Sequence, residues 1–278
     1  MNTASVSPQA AMREASPWIE RLARLGFAAK GVVYIFVGEL AAKAAMGSGG
    51  RTTGSRGALK TILQEPFGRT ILSVIALGLF GYAIWRIIEA VSDPKRRGTT
   101  PKGIALRIGS VGKALAYAGL GMSAVRLVMH HSSGGSDDQA SHHWTGVALD
   151  KPFGRVAVGV IGLSIIGYGI YQLVAAARSK LNKDLVLTSI PESARAVITT
   201  ICRFGIAARG VVFVVIGYFL SRAAFHRTAS EAKGVGGALR SFYQHPYGHY
   251  ALFVVAIGLA AYGIYQLINS RYRQIQVA

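Results

Sequence analysis

Charge in this chain comes in clumps, and between the clumps lie six apolar runs: Leu25 to Met46, Thr70 to Val91, Ile108 to Met129, Val156 to Ala177, Phe204 to Phe225 and Tyr250 to Asn269. Each run is close to the ~20 residues a helix needs to cross ~30 Å of hydrocarbon. The runs are rich in Ala, Leu and Gly and lack period-two alternation, which argues against strands. A helix also satisfies all of its own backbone groups in lipid. The expected fold class is therefore an all-α integral membrane protein with six transmembrane helices. Charged residues make up only 15% of the chain, against roughly 25% in a soluble domain, and that scarcity points the same way. A single cysteine, Cys202, excludes an intrachain disulfide and a CxxC metal or redox site. The first 24 residues hold no apolar core of signal-peptide length, so no cleavage is expected before the first span.

Orientation follows from Lys and Arg in the short loops. The side that carries both termini holds 19 of these residues and the other side 12. Both termini are therefore expected in the cytoplasm, together with the basic stretch Asp93-Pro94-Lys95-Arg96-Arg97. All seven histidines fall on the outer side.

The chain repeats itself three times. Arg24-Leu25-Gly26-Phe27-Ala28-Ala29-Lys30 returns as Arg107-Ile108-Gly109-Ser110-Val111-Gly112-Lys113 and as Arg203-Phe204-Gly205-Ile206-Ala207-Ala208-Arg209. Pro66-Phe67-Gly68-Arg69 returns as Pro152-Phe153-Gly154-Arg155 and Pro246-Tyr247-Gly248-His249. Later in each copy come Gly81-Tyr82 with Trp85, Gly167-Tyr168 with Tyr171, and Ala261-Tyr262 with Tyr265. Each unit is helix, outer loop, helix. Because a unit crosses twice, the copies are parallel, and a pseudo-threefold axis along the membrane normal is their natural packing. The expected organisation is a polar tail (1–17), repeat one (18–93), repeat two (94–180), a basic cytoplasmic linker (181–202), repeat three (203–273) and a short tail (274–278).

In these motifs the chain resembles the bacterial membrane proteins built from three copies of the "domain of unknown function 1206". The resemblance runs from about Trp18 to Arg273 and is weakest in copy two, where Ser110 to Gly112 and Thr145-Gly146-Val147 depart from the other copies. It implies the fold and a bacterial cytoplasmic membrane, and it carries no catalytic or ligand residues over to this chain.

Six basic residues are the first candidate site. The opening arginines Arg24, Arg107 and Arg203 are followed six positions later by Lys30, Lys113 and Arg209, about 9 Å deeper along a helix. A cation at mid-bilayer costs about 2.5–3.5 kcal/mol even on lenient scales. Snorkelling to anionic lipid phosphates is the expected solution, and a ring of cations that attracts an anion at the axis is the alternative. Glu39 and Lys43, four residues apart in the favourable order, read as an intramembrane ion pair, and Glu89 pairs with Arg86 in the same way.

The even helices carry a stripe of small and aromatic residues: Gly78, Gly81 and Tyr82; Ser164, Gly167 and Tyr168; Gly258, Ala261 and Tyr262. These read as helix-packing positions, with the buried phenols tying helices together. The outer segments at 58–66 and 238–246 read as short amphipathic helices lying in the membrane interface. The outer loop of copy two holds His130, His131, His142 and His143 around Asp137 and Asp138. Those are weak metal-ligand candidates, because a Ser/Gly-rich stretch of this kind is more often a solvated linker.

No nucleophile elbow, metalloprotease motif, phosphate loop or paired intramembrane carboxylate is present, so neither catalysis nor a cofactor is expected. Basic residues spread over the ends of the spans do not make a nucleic-acid interface. The expected partners are membrane lipids, particularly anionic ones, and another membrane protein. A non-enzymatic scaffold, accessory or lipid-interacting role is the primary expectation, with an anion or small-solute transporter as the alternative. Mitochondrial solute carriers share the three-hairpin layout only: their motif is missing, and the prolines here are placed in loops.

Overall fold

The computed structural model describes residues 8–92, 100–130, 135–178, 192–243 and 246–273. These residues form nine α-helices: α1 Pro8–Ala45, α2 Ser55–Gln64, α3 Gly68–Ser92, α4 Pro101–His130, α5 Asp137–Leu149, α6 Gly154–Ala177, α7 Glu192–His226, α8 Val235–Tyr243 and α9 Gly248–Tyr272. No strand occurs among the described residues. Five segments are long and apolar enough to cross a membrane: Pro17–Ala45 within α1, α3, α6, Arg195–His226 within α7, and α9. The sixth apolar run is also helical, as α4, but Lys113, two serines and four glycines between Ile108 and Val125 dilute it below the others.

The long helices stand side by side. Around the bundle α1 packs on α3, α3 on α4, α6 on α7, α7 on α9, and α9 back on α1. Small residues set these close approaches, since lipid supplies no hydrophobic drive between helices and backbones must come near enough for dispersion to act. A Cβ on Gly26 would stand 2.5 Å from Tyr82 Cβ, and one on Gly31 would stand 2.9 Å from the Gly263 carbonyl. Gly162 faces Gly217, and Gly169 faces Gly210, in the same manner between α6 and α7.

The short helices close the end of the bundle where α1 stops and α3 begins. Ala58, Leu59 and Ile62 of α2 and Ala238 and Leu239 of α8 are fully buried. Their apolar faces therefore turn into the bundle, where α2 meets α1, α3 and α4, and α8 meets α7 and α9. The interfacial placement expected from their amphipathic pattern is corrected accordingly: protein, not lipid, covers the apolar face. Pro-[Phe/Tyr]-Gly then turns the chain into the next long helix. Any Cβ on Gly68, Gly154 or Gly248 would collide with the carbonyl oxygen of Ile62, Ala148 or Phe242 respectively, so the corner admits only glycine.

Three further expectations change. The Ser/Gly-rich stretch of copy two is not a plain linker, because Ser136 and Gln139 form a reciprocal capping box that starts α5 at Asp137. Part of the expected linker at 181–202 is helical from Glu192 onward. Pro17 lies inside α1 rather than in a loop, and α1 begins well before the apolar run at Leu25.

Candidate functional site: an inward cluster of cations and tyrosines

The first long helix of each repeat (the odd spans α1, α4 and α7) carries the deep cation, and the second (the even spans α3, α6 and α9) carries the tyrosine. Each cation lies over the tyrosine of its own repeat. Lys30 Nζ is 4.2 Å from the Tyr82 ring centroid, Lys113 Nζ is 4.9 Å from that of Tyr168, and Arg209 Cζ is 4.7 Å from that of Tyr262. A ring face attracts a cation most strongly where water is excluded. Lys30, only 4% exposed, also donates to the Tyr82 hydroxyl at 3.2 Å. Its side chain therefore does not extend to lipid phosphate as snorkelling requires.

The three pairs communicate. Tyr117 of α4 packs edge-on against Tyr82 at 4.8 Å and lies 4.7 Å from Lys30 Nζ. Tyr34 of α1 does the same against Tyr262 at 4.8 Å, and its hydroxyl accepts from Arg209 Nε at 3.4 Å. Lys30 is thus within electrostatic reach of Arg209, Arg86 and Lys113. Arg86 is neutralised by Glu89 and donates to the Tyr82 hydroxyl at 2.6 and 2.9 Å. Among the described residues no carboxylate forms an ion pair with Lys30, Lys113 or Arg209.

Gln172 of α6 completes the cluster. Its Oε1 accepts from Arg209 Nη1 at 2.8 Å. A guanidinium only donates, so this bond fixes the amide orientation and turns the NH2 group elsewhere. That nitrogen is buried and has no acceptor. Three cations without a carboxylate and one buried donor without an acceptor form an arrangement electrostatically complementary to an anion.

The opening arginines do something different. Arg24 donates to the carbonyls of Ser270 and Arg271 at 2.8 and 2.6 Å. Arg107 donates to those of Ala90 and Val91 at 2.6 and 3.3 Å, and Arg203 to those of Ala176 and Ala177 at 2.7 and 3.1 Å. Each guanidinium thereby caps the C-terminus of an even helix of another repeat, where the last carbonyls lack partners and the macrodipole favours positive charge.

A family model described as Domain of Unknown Function (DUF1206) matches the chain three times, at residues 25–93, 108–179 and 204–273. The chain belongs to this family. It is 33% identical over 263 residues to "Uncharacterized protein YxxB" of Bacillus subtilis (strain 168), covering 95% of this chain and 94% of that one. No solved structure matches the chain.

Within the family's repeat, the packing stripe holds in copies one and three only. Gly78 and Gly81 approach the carbonyls of Leu25 and Leu22, and Gly258 and Ala261 pack on Ala208 and Gly205. In copy two Gly167 meets no atom within 4 Å of its Cβ position, and the hydroxyl of exposed Ser164 turns back to Val160 O. Near the end of α1, Glu39 Oε1 lies 2.6 Å from Lys43 Nζ, with both side chains half exposed.

Asp137 and Asp138 serve as helix caps. Asp137 Oδ2 accepts from the Arg56 amide at the start of α2 at 3.3 Å, and Asp138 Oδ1 accepts from the Gly234 and Gly237 amides at the start of α8 at 2.8 and 3.0 Å. Burial pushes the Asp137 carboxyl up from its ordinary range, and Arg56 partly opposes this. Among the described residues no group of three His, Cys, Asp or Glu gathers as a metal site. His131 lies outside those residues, as does the side chain of His130. Two crevices, of about 270 and 560 Å³, open between α1 and α3 and beneath α2, and neither is lined by a cluster residue.

The cap role of the opening arginines and the donor role of Gln172 escaped sequence reasoning. The signal for Gln172 was present in the position directly after the aligned aromatics Trp85, Tyr171 and Tyr265, where Arg86, Gln172 and Gln266 all offer donors.

Proposed function

We propose that this protein is a six-span, multi-pass protein of the bacterial cytoplasmic membrane, with both termini cytoplasmic, that binds an anion inside its bundle. It handles that anion by binding, as a carrier or receptor does, and not by chemical conversion. The carrying observation is the inward cluster of Lys30, Lys113 and Arg209 without a carboxylate. With Lys30 buried and Lys113 and Arg209 half-buried, holding these like charges together is costly unless a counter-charge arrives. The orphan donor on Gln172 supports the same reading. In this arrangement the three repeats surround the site about a pseudo-threefold axis, each contributing one cation and one tyrosine. A purely structural use of the cations makes a different forecast, because their removal would then alter stability without altering any response to anions.

The test uses purified protein in nanodiscs of zwitterionic lipid, with inorganic phosphate and a small carboxylate as probes. Both should raise the Tm of the native protein by mass action, and Arg209→Gln with Lys113→Gln should abolish the rise. A Tm that responds to neither probe, or that responds equally in the variant, would overturn the proposal.

A further inference from the structure

The α4–α6 seam differs from every other junction in the bundle. In repeats one and three the odd and even helices are pressed together: Gly26 against Tyr82 and the Gly78 carbonyl, Gly205 against the backbone of Tyr262, and Ala29 and Ala208 against Gly78 and Gly258. The corresponding residues of α4 are Gly109 and Gly112, and neither has an atom within 4 Å of its Cβ position; the same holds for Gly119 one further step outward and for Gly167 on α6. Among the described residues α4 and α6 share no interface comparable to those of α1 with α3 or α7 with α9. The repeat therefore keeps its small residues at this seam while the helices stand apart.

Lys113 reaches across the seam, from α4 to the Tyr168 ring on α6. One turn beyond Tyr168 on α6, Gln172 holds a buried, unpartnered Nε2, with its Cβ toward Gly210 of α7 and its amide oxygen committed to Arg209. At one end of the seam α2 packs on α4, α5 packs on α6, and α2 and α5 meet. Exposed glycines between two long apolar helices, with a cation at their end, suit an amphiphile: an apolar chain would lie against the glycines, and an anionic head would meet the cation.

We infer that the cluster is reached sideways through the α4–α6 seam, and that its ligand is an anionic membrane lipid whose head group contacts Lys113 and Gln172. This rests on the anion-binding reading above and narrows its ligand from any anion to a phosphate-bearing lipid. Repeat two is then the docking side of the molecule, and repeats one and three are its closed walls.

The experiment measures phosphatidylglycerol and phosphatidylcholine retained by the full-length protein, using native mass spectrometry after release from mixed micelles, alongside the phosphate-induced rise in Tm. Native protein should retain phosphatidylglycerol in preference to phosphatidylcholine. Gly119→Trp, which places bulk in open space about 9 Å from Lys113 along the helix, should lose that lipid while keeping the response to inorganic phosphate. Lys113→Gln, which leaves the shape of the seam intact, should lower phosphatidylglycerol occupancy by about fivefold, as loss of one lysine near an anionic head group predicts. Retention of phosphatidylglycerol by both variants at the native level would overturn the inference. A response to phosphate with no retained lipid in the native protein would overturn lateral access and leave anion binding standing, and failure of both signals would overturn both. Retention of a second copy of the chain at the seam, abolished by Gly119→Trp, would also overturn the inference.

Discussion

At the residue scale, identical side-chain patterns do unequal work. Gly26 and Gly112 are both small residues on odd helices, yet only the first is pressed against a neighbouring backbone. Gly26→Ala should therefore lower stability by about 1–3 kcal/mol through overpacking. Gly112→Ala should leave the Tm unchanged or raised, since alanine is the better helix former by up to about 1 kcal/mol; thermal melts of the two variants check this. Lys30 offers a second contrast. Its ammonium is buried and held by rings and one hydroxyl, so Lys30→Met should raise the Tm while weakening the phosphate-induced rise, as expected when a binding residue is retained against stability. An unchanged Tm together with an undiminished phosphate response would show that Lys30 is not part of the site.

At the element scale, the short helices α2 and α8 are joined by two carboxylates of α5. Asp138 satisfies two amides at the start of α8, and Asp138→Ala should cost about 1 kcal/mol, as loss of an N-terminal cap does. Asp137 behaves differently because burial raises its pKa. A raised carboxyl favours the folded state most when protonated, so its contribution is present at low pH and is lost as pH rises through the raised value. Asp137→Asn should flatten that dependence above the ordinary carboxyl range near about pH 4, and melts at rising pH check the sign. These elements also show what was legible in the sequence. The long helices, the corners and the amphipathic character of α2 and α8 followed from apolar runs, glycines and spacing. Their partners did not, because periodicity marks an apolar face without saying whether lipid or protein covers it. Asp137 and Asp138 likewise read as metal candidates until the N-termini of α2 and α8 were seen beside them.

At the scale of the whole molecule, the three repeats interlock by lending an arginine to a neighbour. Arg107 and Arg203 hold the ends of α3 and α6, and Arg24 holds the end of α9. The repeats were legible in the sequence, as were the positions of Lys30, Lys113 and Arg209. The direction in which those cations point was not, because it depends on tyrosines from other helices. Nor was the open seam, since Gly109 and Gly167 preserve the small-residue pattern while the helices that carry them stand apart. Topology is tested by reporter fusions after Ala278 and near Gly135, which should report cytoplasmic and outer compartments respectively; a periplasmic C-terminus would contradict the orientation.

The contact between α1 and α9 has a consequence for biosynthesis. Arg24 and the carbonyl it caps on Ser270 are 246 residues apart. At about 5–20 residues per second, the first helix waits roughly 10–50 s in the membrane for the last to be made. Throughout that interval Gly31 and Gly38, which end against Gly263 and Ala260, have only lipid or the translocation machinery beside them. A ribosome that stops before α9 leaves the Gly31 and Gly38 face of α1 unmatched, and that exposed face is a feature by which a membrane protease could tell an unfinished chain from a completed one.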